Sequence, residues 1–266
     1  MDLDDDAVRR IGMPLKLLVK ELKLNEFSSA FDSACRRANL QWALFGGTAI
    51  NKVYLKKTAR FSEDADFSVF GGIAPHQVLQ LLKTCGAQSV SGPHRISGDF
   101  WRFELHYSDA QSGIANDLIN FDANLHLRKP KSEIALLNPH SFLSLYGYGI
   151  FLPAIPTYTP RTLVAMKLLA IGGRAEGRDF YDLYHLLKDF PVTRTQVMTE
   201  AHQYRDGLFN SQRFDDGFIE RAAQSISSVP EAKLAQVEPF LLPPNKPDWR
   251  ILKGELKRLI ALRLGK

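Results

Sequence analysis

Residues 41 to 70, QWALFGGTAINKVYLKKTARFSEDADFSVF, constrain the fold more than any other part of the chain. The stretch opens on a short apolar run, breaks at Gly46-Gly47 and resumes as the helix-compatible TAINKVYLKK. It closes on RFSEDADFSVF, where Phe61, Ala65, Phe67 and Val69 alternate with Ser62, Asp64, Asp66 and Ser68, Glu63 being the exception. A period of two is that of a half-buried strand. Strand, glycine turn, helix with Thr48 near its start, and second strand therefore follow one another without a pause.

The flanking sequence extends this pattern. Residues 6 to 39 show helical periodicity interrupted near Pro14, so one or two helices lead into the core. VLQLLKTCG at 78 to 86 reads as a helix closed by glycine. FWRFELHY at 100 to 107 and DLINFDANLHL at 117 to 127 read as strands joined by a hairpin-like loop, and FLSLYGYGIFLPAIP at 142 to 156 as buried strand and turn. After the strand-like IPTYT, Thr159 and Pro160 signal a helix start, RTLVAMKLLAI continues it and Gly172-Gly173 stop it. RDFYDLYHLLKDF, RTQVMTEAHQY, FIERAAQSI and a basic terminal segment are helical, with the proline-rich PFLLPPNKPDW between the last two. The expected architecture is α+β, a mixed sheet with helices followed by a helical C-terminal half. Its parts are a helical lead-in at 1 to 40, a core at 41 to 158 and a helical domain at 159 to 266.

At 266 residues, 45% hydrophobic and 24% charged, the chain can bury a real core without staples. Its two isolated cysteines, Cys35 and Cys85, exclude a disulfide framework or a zinc cluster and suit a reducing cytosol. The acidic start MDLDDDAVRR lacks the n- and h-regions of an export signal, and no apolar run reaches the roughly 20 residues of a membrane span. A cytoplasmic protein with no membrane partner is expected. The net charge of +5 and pI of about 9.1, with basic clusters at Arg36-Arg37, Lys56-Lys57 with Arg60, LRKPK and the C-terminus, suit a polyanionic partner without requiring one.

Asp64 and Asp66 emerge on one strand face with Cα atoms about 6.5 Å apart at about 3.3 Å of rise per residue. Such a pair suits one hard divalent cation that completes its shell with water and phosphates. A strand that shows polar residues to water produces the same spacing. Gly46-Gly47, between strand and helix, lets backbone approach a phosphate and presents helix N–H groups, or is simply a tight turn. Thr48 suits either a phosphate contact or a helix cap. Asp122 in LINFDANLHL is the candidate third carboxylate for a second metal, with Glu104 in reserve. Lys167 falls on the apolar stripe with Leu163 and Ile171, where a charge wants an anion unless its amine reaches water. Asp179 and Asp182 lie three apart on one helix face. Asp179 suits a cap, Asp182 needs Arg178, Lys167 or metal as partner, and His185 reads as structural.

FGGTAINKVYL, RFSEDADFSV, VAMKLLAI and RDFYDLYHLL, in this order, resemble the AbiEii-like nucleotidyltransferase toxins. That family pairs a glycine-glycine helix start with R-[FS]-S-x-D-x-D, a later lysine helix and R-D-x-x-D-L. The resemblance covers about residues 41 to 190 and implies a DNA polymerase β-like nucleotidyltransferase core using an NTP with Mg2+ or Mn2+. It also implies a toxin role held in check by a cognate antitoxin, and mycobacterial members look like tRNA nucleotidyltransferases acting on the 3' acceptor end. Carried over, Asp64 and Asp66 would hold metal, Ser62 would lie beside the phosphates bound at Gly46, Gly47 and Thr48, and Lys167 would bind the triphosphate. Asp182 or Asp179 would complete the catalytic motif, and Asp122 is matched by strand position only. The family's lysine helix usually reads Glu-Lys, where this chain has Met166-Lys167.

The expected activity is transfer of a nucleoside monophosphate from NTP to an acceptor hydroxyl, on tRNA or another RNA. Transfer to a protein or small molecule, and a non-catalytic module that binds nucleotide, nucleic acid or a partner, stay open on the residues alone.

Overall fold

The computed structural model describes residues 5–126, 134–140, 143–144, 153–203, 215 and 217–265. The apolar run at 41 to 45 is strand β1, Gln41–Phe45, and the alternating acids lie on β2, Asp64–Phe70, paired antiparallel to it with Phe45 opposite Asp66. Three further strands are β3 (Ser89–Ser97), β4 (Phe100–Asp109) and β5 (Ile114–His126). β6 (Ile134–Leu137) and β7 (Ile155–Tyr158) complete a seven-stranded mixed sheet of order β3-β4-β5-β2-β1-β7-β6. β2 and β5 run parallel, and β5 returns antiparallel along β4.

The alternation works as the period requires. Trp42, Leu44, Phe67, Val69, Phe103, Leu105, Phe121 and Ala123 are buried on one face. Helix α1 (Asp5–Ile11) precedes α2 (Leu15–Arg37), which lies on that face. Phe31 of α2 sets its ring 4.6 Å from Phe67, 5.3 Å from Trp42 and 6.3 Å from Phe121. Each such ring removes a large apolar area from water and contributes about 1.5–3 kcal/mol. The other face keeps the polar residues, and the candidate chemistry lies there.

Four local expectations differ in detail. β2 begins at Asp64 rather than near Arg60, and Arg60 instead forms an isolated antiparallel bridge with Leu241. The element after β1 starts at the glycines, as α3 (Gly46–Ala49), and runs into a π-helical turn, Ile50–Tyr54. β4 and β5 extend almost to each other, so the hairpin connection is a tight turn rather than a long loop. β3 was not expected as a strand. Helix α4 (Pro75–Leu82) packs on β3 and β4. The LRKPK cluster, most of the apolar window at 142 to 156 and the end of RTQVMTEAHQY lie outside the described residues.

The chain divides into two units. The first holds the chain up to Lys56, the segment from Phe61 through β5, and Ile134–Thr157. The second takes the short segment Lys57–Arg60 and the chain from Tyr158 onward. It is helical: α5 (Pro160–Gly173), α6 (Gly177–Asp189), α7 (Arg194–Gln203), α8 (Phe218–Ser228), the short α9 (Glu231–Leu234) and α10 (Trp249–Leu264). α5 packs on α6, α7 and α8, and α10 covers α6 and α8. Leu163, Val164, Leu168, Phe180, Leu183, Ile226, Leu256 and Ile260 are buried among them. Among the described residues no helix is long and apolar enough to cross a membrane.

Candidate active site

In the first unit the glycine turn and the acid pair are pressed together. Gly46 has φ +67°, the left-handed region that favours glycine, and a Cβ there would lie 2.1 Å from Asp66 Oδ2. Only a residue without a side chain brings this backbone against the carboxylate. Thr48, buried, donates its hydroxyl to the Asp64 carbonyl, which stitches the short helix to the start of β2. Asn51 donates through Nδ2 to the Gly47 carbonyl at 2.7 Å. Thr48 is therefore engaged in fixing the turn, and it makes no side-chain cap of α3. Asp64 and Asp66 are half-exposed on the polar face.

Asp122 stands beside Asp66 in the parallel β2–β5 register, and Arg102 stands beside Asp122 across the antiparallel pair. Arg102 grips Asp122 with both ends of its fork, Nε to Oδ1 at 2.8 Å and Nη2 to Oδ2 at 2.7 Å. The next row holds Asp64, Asn120 and Glu104, whose carboxylate accepts from the Ser91 hydroxyl at 2.8 Å. The reserve acid is thus tied to β3. Ser62 is 3% exposed rather than on a solvent face, and its Oγ has no hydrogen-bond partner among the described residues.

The donor set fits a divalent ion of the hard, oxygen-seeking kind. Two half-exposed carboxylates share a face, and the glycine beside Asp66 leaves its oxygens room that any side chain would fill. Such ions are held by one or two carboxylates plus water and substrate phosphates. Both Asp122 oxygens are engaged by Arg102, and among the described residues no cluster of three or more His, Cys, Asp or Glu side chains forms a closed cage.

In the second unit Lys167 falls on the buried side of α5 and is 4% exposed. It does not reach for water. Its Nζ lies 2.9 Å from Asp179 Oδ1 and 2.7 Å from Asp182 Oδ2, both on α6. Arg60 donates Nε and Nη2 to the two Asp182 oxygens at 2.9 and 2.8 Å, and Arg174 donates Nε to Asp179 Oδ2 at 2.9 Å. Burial alone would raise the Asp179 carboxyl, but Lys167 and Arg174 outweigh it and hold it well below the usual carboxylate range. Asp182 is held down in the same way by Arg60 and Lys167 against its burial. Asp179 is therefore a network member and no mere cap. Lys167 is held from α6 by Asp179 and Asp182, and Met166 before it offers no carboxylate. Arg178 pairs with Glu176 rather than Asp182. His185 is buried between Tyr181 and Tyr184, and burial pushes its imidazole down to about 4.

The structure thus brings Gly46, Thr48, Asp64, Asp66 and Asp122 together in the first unit, and Lys167, Asp179 and Asp182 in the second. Sequence reasoning missed Arg60, Arg102 and Arg174 as partners. For Arg60 a signal existed: it opens the same motif that carries the acids, and Asp182 was short of a cation. Arg102 had only the alternation of FWRFELHY, which places it on the face of Glu104.

A mixed sheet in which a glycine turn delivers a short helix against two carboxylates of the next strand defines the core of a nucleotidyltransferase. The family model described as nucleotidyl transferase AbiEii toxin, type IV toxin–antitoxin system, matches residues 32–260, and the chain belongs to this family. Solved structures agree in fold. MenT4, a nucleotidyltransferase toxin of Mycobacterium tuberculosis H37Rv, superposes with a TM-score of 0.68 at 17% identity, covering 97% of this chain and 89% of that one. JHP933 of Helicobacter pylori gives 0.59 at 16% identity over 94% and 92%, and a putative nucleotidyltransferase of Helicobacter pylori gives 0.57 at 16% over 94% and 95%. No curated protein matches the sequence.

Proposed function

We propose that this nucleotidyltransferase moves a nucleoside monophosphate from an NTP to an acceptor hydroxyl on RNA, at the 3' end of tRNA, and that a cognate antitoxin restrains it. The observation that carries the reading is the acid pair Asp64 and Asp66, partly exposed on the polar face, set against Gly46. A +5 chain suits a polyanionic acceptor better than a cationic small molecule.

In the reaction the acceptor oxygen bonds to the α-phosphorus, the bond from that phosphorus to the β-phosphate oxygen breaks, and pyrophosphate leaves as the hydroxyl proton is released. Asp64 and Asp66 hold the divalent ion, Mg2+ or Mn2+, which when bound lowers the pKa of the acceptor hydroxyl and offsets charge on the phosphates. Gly46 and Gly47 let backbone approach the phosphates, Thr48 fixes that turn and Ser62 offers a hydroxyl beside them. Lys167, Arg60, Arg174 and Arg178 together exceed Asp179, Asp182 and Glu176 by one formal charge. That surplus suits a triphosphate, with Lys167 as its ligand and Asp182 and Asp179 fixing the amine.

Protein incubated with Mg2+, labelled NTPs and total tRNA is expected to label RNA, and Asp64→Ala to abolish the labelling. Label on protein or on a small molecule but never on RNA would move the acceptor. No transfer at all, with the variant equally inert, would end the reading.

A further inference from the structure

Arg102 is the one cation in a row of charges that crosses the polar face, Asp66 on β2, Asp122 on β5 and Arg102 on β4. Neighbouring strands lie about 4.8 Å apart, so the row is short enough for every member to feel the others. Asp64 and Asp66 both add to the negative field on this guanidinium, after Asp122, whose bidentate grip is the strongest influence on it. The two partners differ in exposure: the Asp122 side chain is 6% exposed and that of Arg102 39%. Asp122 is the buried holder, and Arg102 is the group presented outward. A guanidinium carries five N–H donors, of which two are spent on Asp122. The rest have no hydrogen-bond partner among the described residues.

We infer that Arg102 is a phosphate-binding residue of this site, with Asp122 acting as its positioning residue and not as a metal ligand. The inference rests on the nucleotidyltransferase reading of the acid pair and adds the residue that meets the donor's phosphates from the sheet. Two facts favour it. A fork-shaped cation matches phosphate oxygens, and a carboxylate behind it fixes its rotamer before the anion arrives. Each Asp122 oxygen already accepts a charge-assisted hydrogen bond from Arg102, which spends half of the carboxylate's acceptor capacity and ties it to β4, whereas Arg102 beside Asp64 and Asp66 offsets the repulsion that a triphosphate would meet there.

The test separates phosphate binding, metal binding and turnover. Inorganic tripolyphosphate, which carries no base, is titrated calorimetrically into metal-free protein, and Mn2+ is titrated separately with detection by electron paramagnetic resonance. Arg102→Gln is expected to weaken tripolyphosphate about tenfold, the equivalent of about 1.4 kcal/mol and the low end for a charged hydrogen bond. It should bind Mn2+ no more weakly than the parent. Arg102→Lys should keep part of the phosphate affinity and serves if the glutamine variant does not fold. Asp122→Asn should keep Mn2+ affinity within about threefold while weakening tripolyphosphate, since a loosened Arg102 loses its preset geometry. Unchanged tripolyphosphate binding in both Arg102 variants, or no binding by the parent, overturns the inference. So does loss of Mn2+ from Asp122→Asn, which would make that aspartate a ligand. Survival of Mn2+ binding in an Asp64→Asn, Asp66→Asn double variant would instead sink the reading of the acid pair and leave the Arg102 result standing.

Discussion

At the scale of single residues the site is built by contacts too close for substitution. Gly46 combines a left-handed backbone with a Cβ position 2.1 Å from a carboxylate oxygen. Gly46→Ala therefore strains the turn by about 1–2 kcal/mol and displaces Asp66. Displacements of about 1 Å in a positioned group cost about 100-fold in rate, so single-turnover transfer should fall by that order while thermal melting shows a folded protein. Arg60 makes the opposite case, a residue whose loss is felt first in stability. Arg60→Ala leaves buried Asp182 with Lys167 but without its bidentate partner. Breaking a buried pair costs about 3–5 kcal/mol, and the remaining lysine keeps the expected loss near about 3 in urea unfolding. Because Asp179 and Asp182 are depressed in the folded state, the network's stabilisation is complete above about pH 4, the unfolded carboxylate value, and is lost as pH falls below it.

At the scale of elements, α6 carries a second pH response with a different window. His185 lies between Tyr181 and Tyr184, and burial, helped by Lys188 and opposed by Asp182, holds it neutral down to about 4. The unfolded histidine takes its proton near 6.5, so between 6.5 and 4 the unfolded state binds more protons and stability falls as pH falls. At 1.36 kcal/mol per unit, the loss through His185 is about 2 kcal/mol by pH 5, and His185→Phe should flatten denaturation curves in that range. His126 on β5, stacked at 5.5 Å on Phe70 and lowered to about 4 chiefly by burial, adds a similar loss in the first unit. Elements also mark how far the sequence could be read. β2, β4 and β5 are visible in it through their alternation, β1 through its short apolar run, β7 through its strand-like IPTYT, and the main helices through their apolar content and start and stop residues. β3, SVSGPHRIS, is polar and has no fully buried residue, so only its pairing with β4 makes it a strand. The acid pair and Lys167 stood out locally, but their partners did not. Arg60 meets Asp182 across 122 positions and Arg102 meets Asp122 across 20, and no local spacing encodes such pairings.

At the scale of the whole molecule the remaining question is how the acceptor is held, and the charge balance makes a prediction. A net +5 chain exposes Arg250 and Lys257 on α10 and Lys56, Lys57, Lys83 and Arg95 elsewhere. If RNA is the acceptor, its affinity is carried largely by release of counterions from the phosphates, and the logarithm of affinity falls linearly with the logarithm of salt. With three phosphates neutralised on a single strand, the slope of about −2 predicts a ten- to twentyfold weakening, roughly, between 50 and 200 mM salt. Asp64→Ala isolates this term from turnover, because its binding to labelled tRNA can be followed by anisotropy without any transfer. Charge-removing changes at Arg250 and Lys257 together should lower both the affinity and the slope if α10 is part of the RNA surface, and leave both unchanged if it is not. A flat salt response in the parent would mean that the acceptor is not held through phosphates. It would then favour a protein or small-molecule acceptor, because in the proposed reaction the acid pair at Gly46 would serve the donor whichever hydroxyl receives the nucleotide.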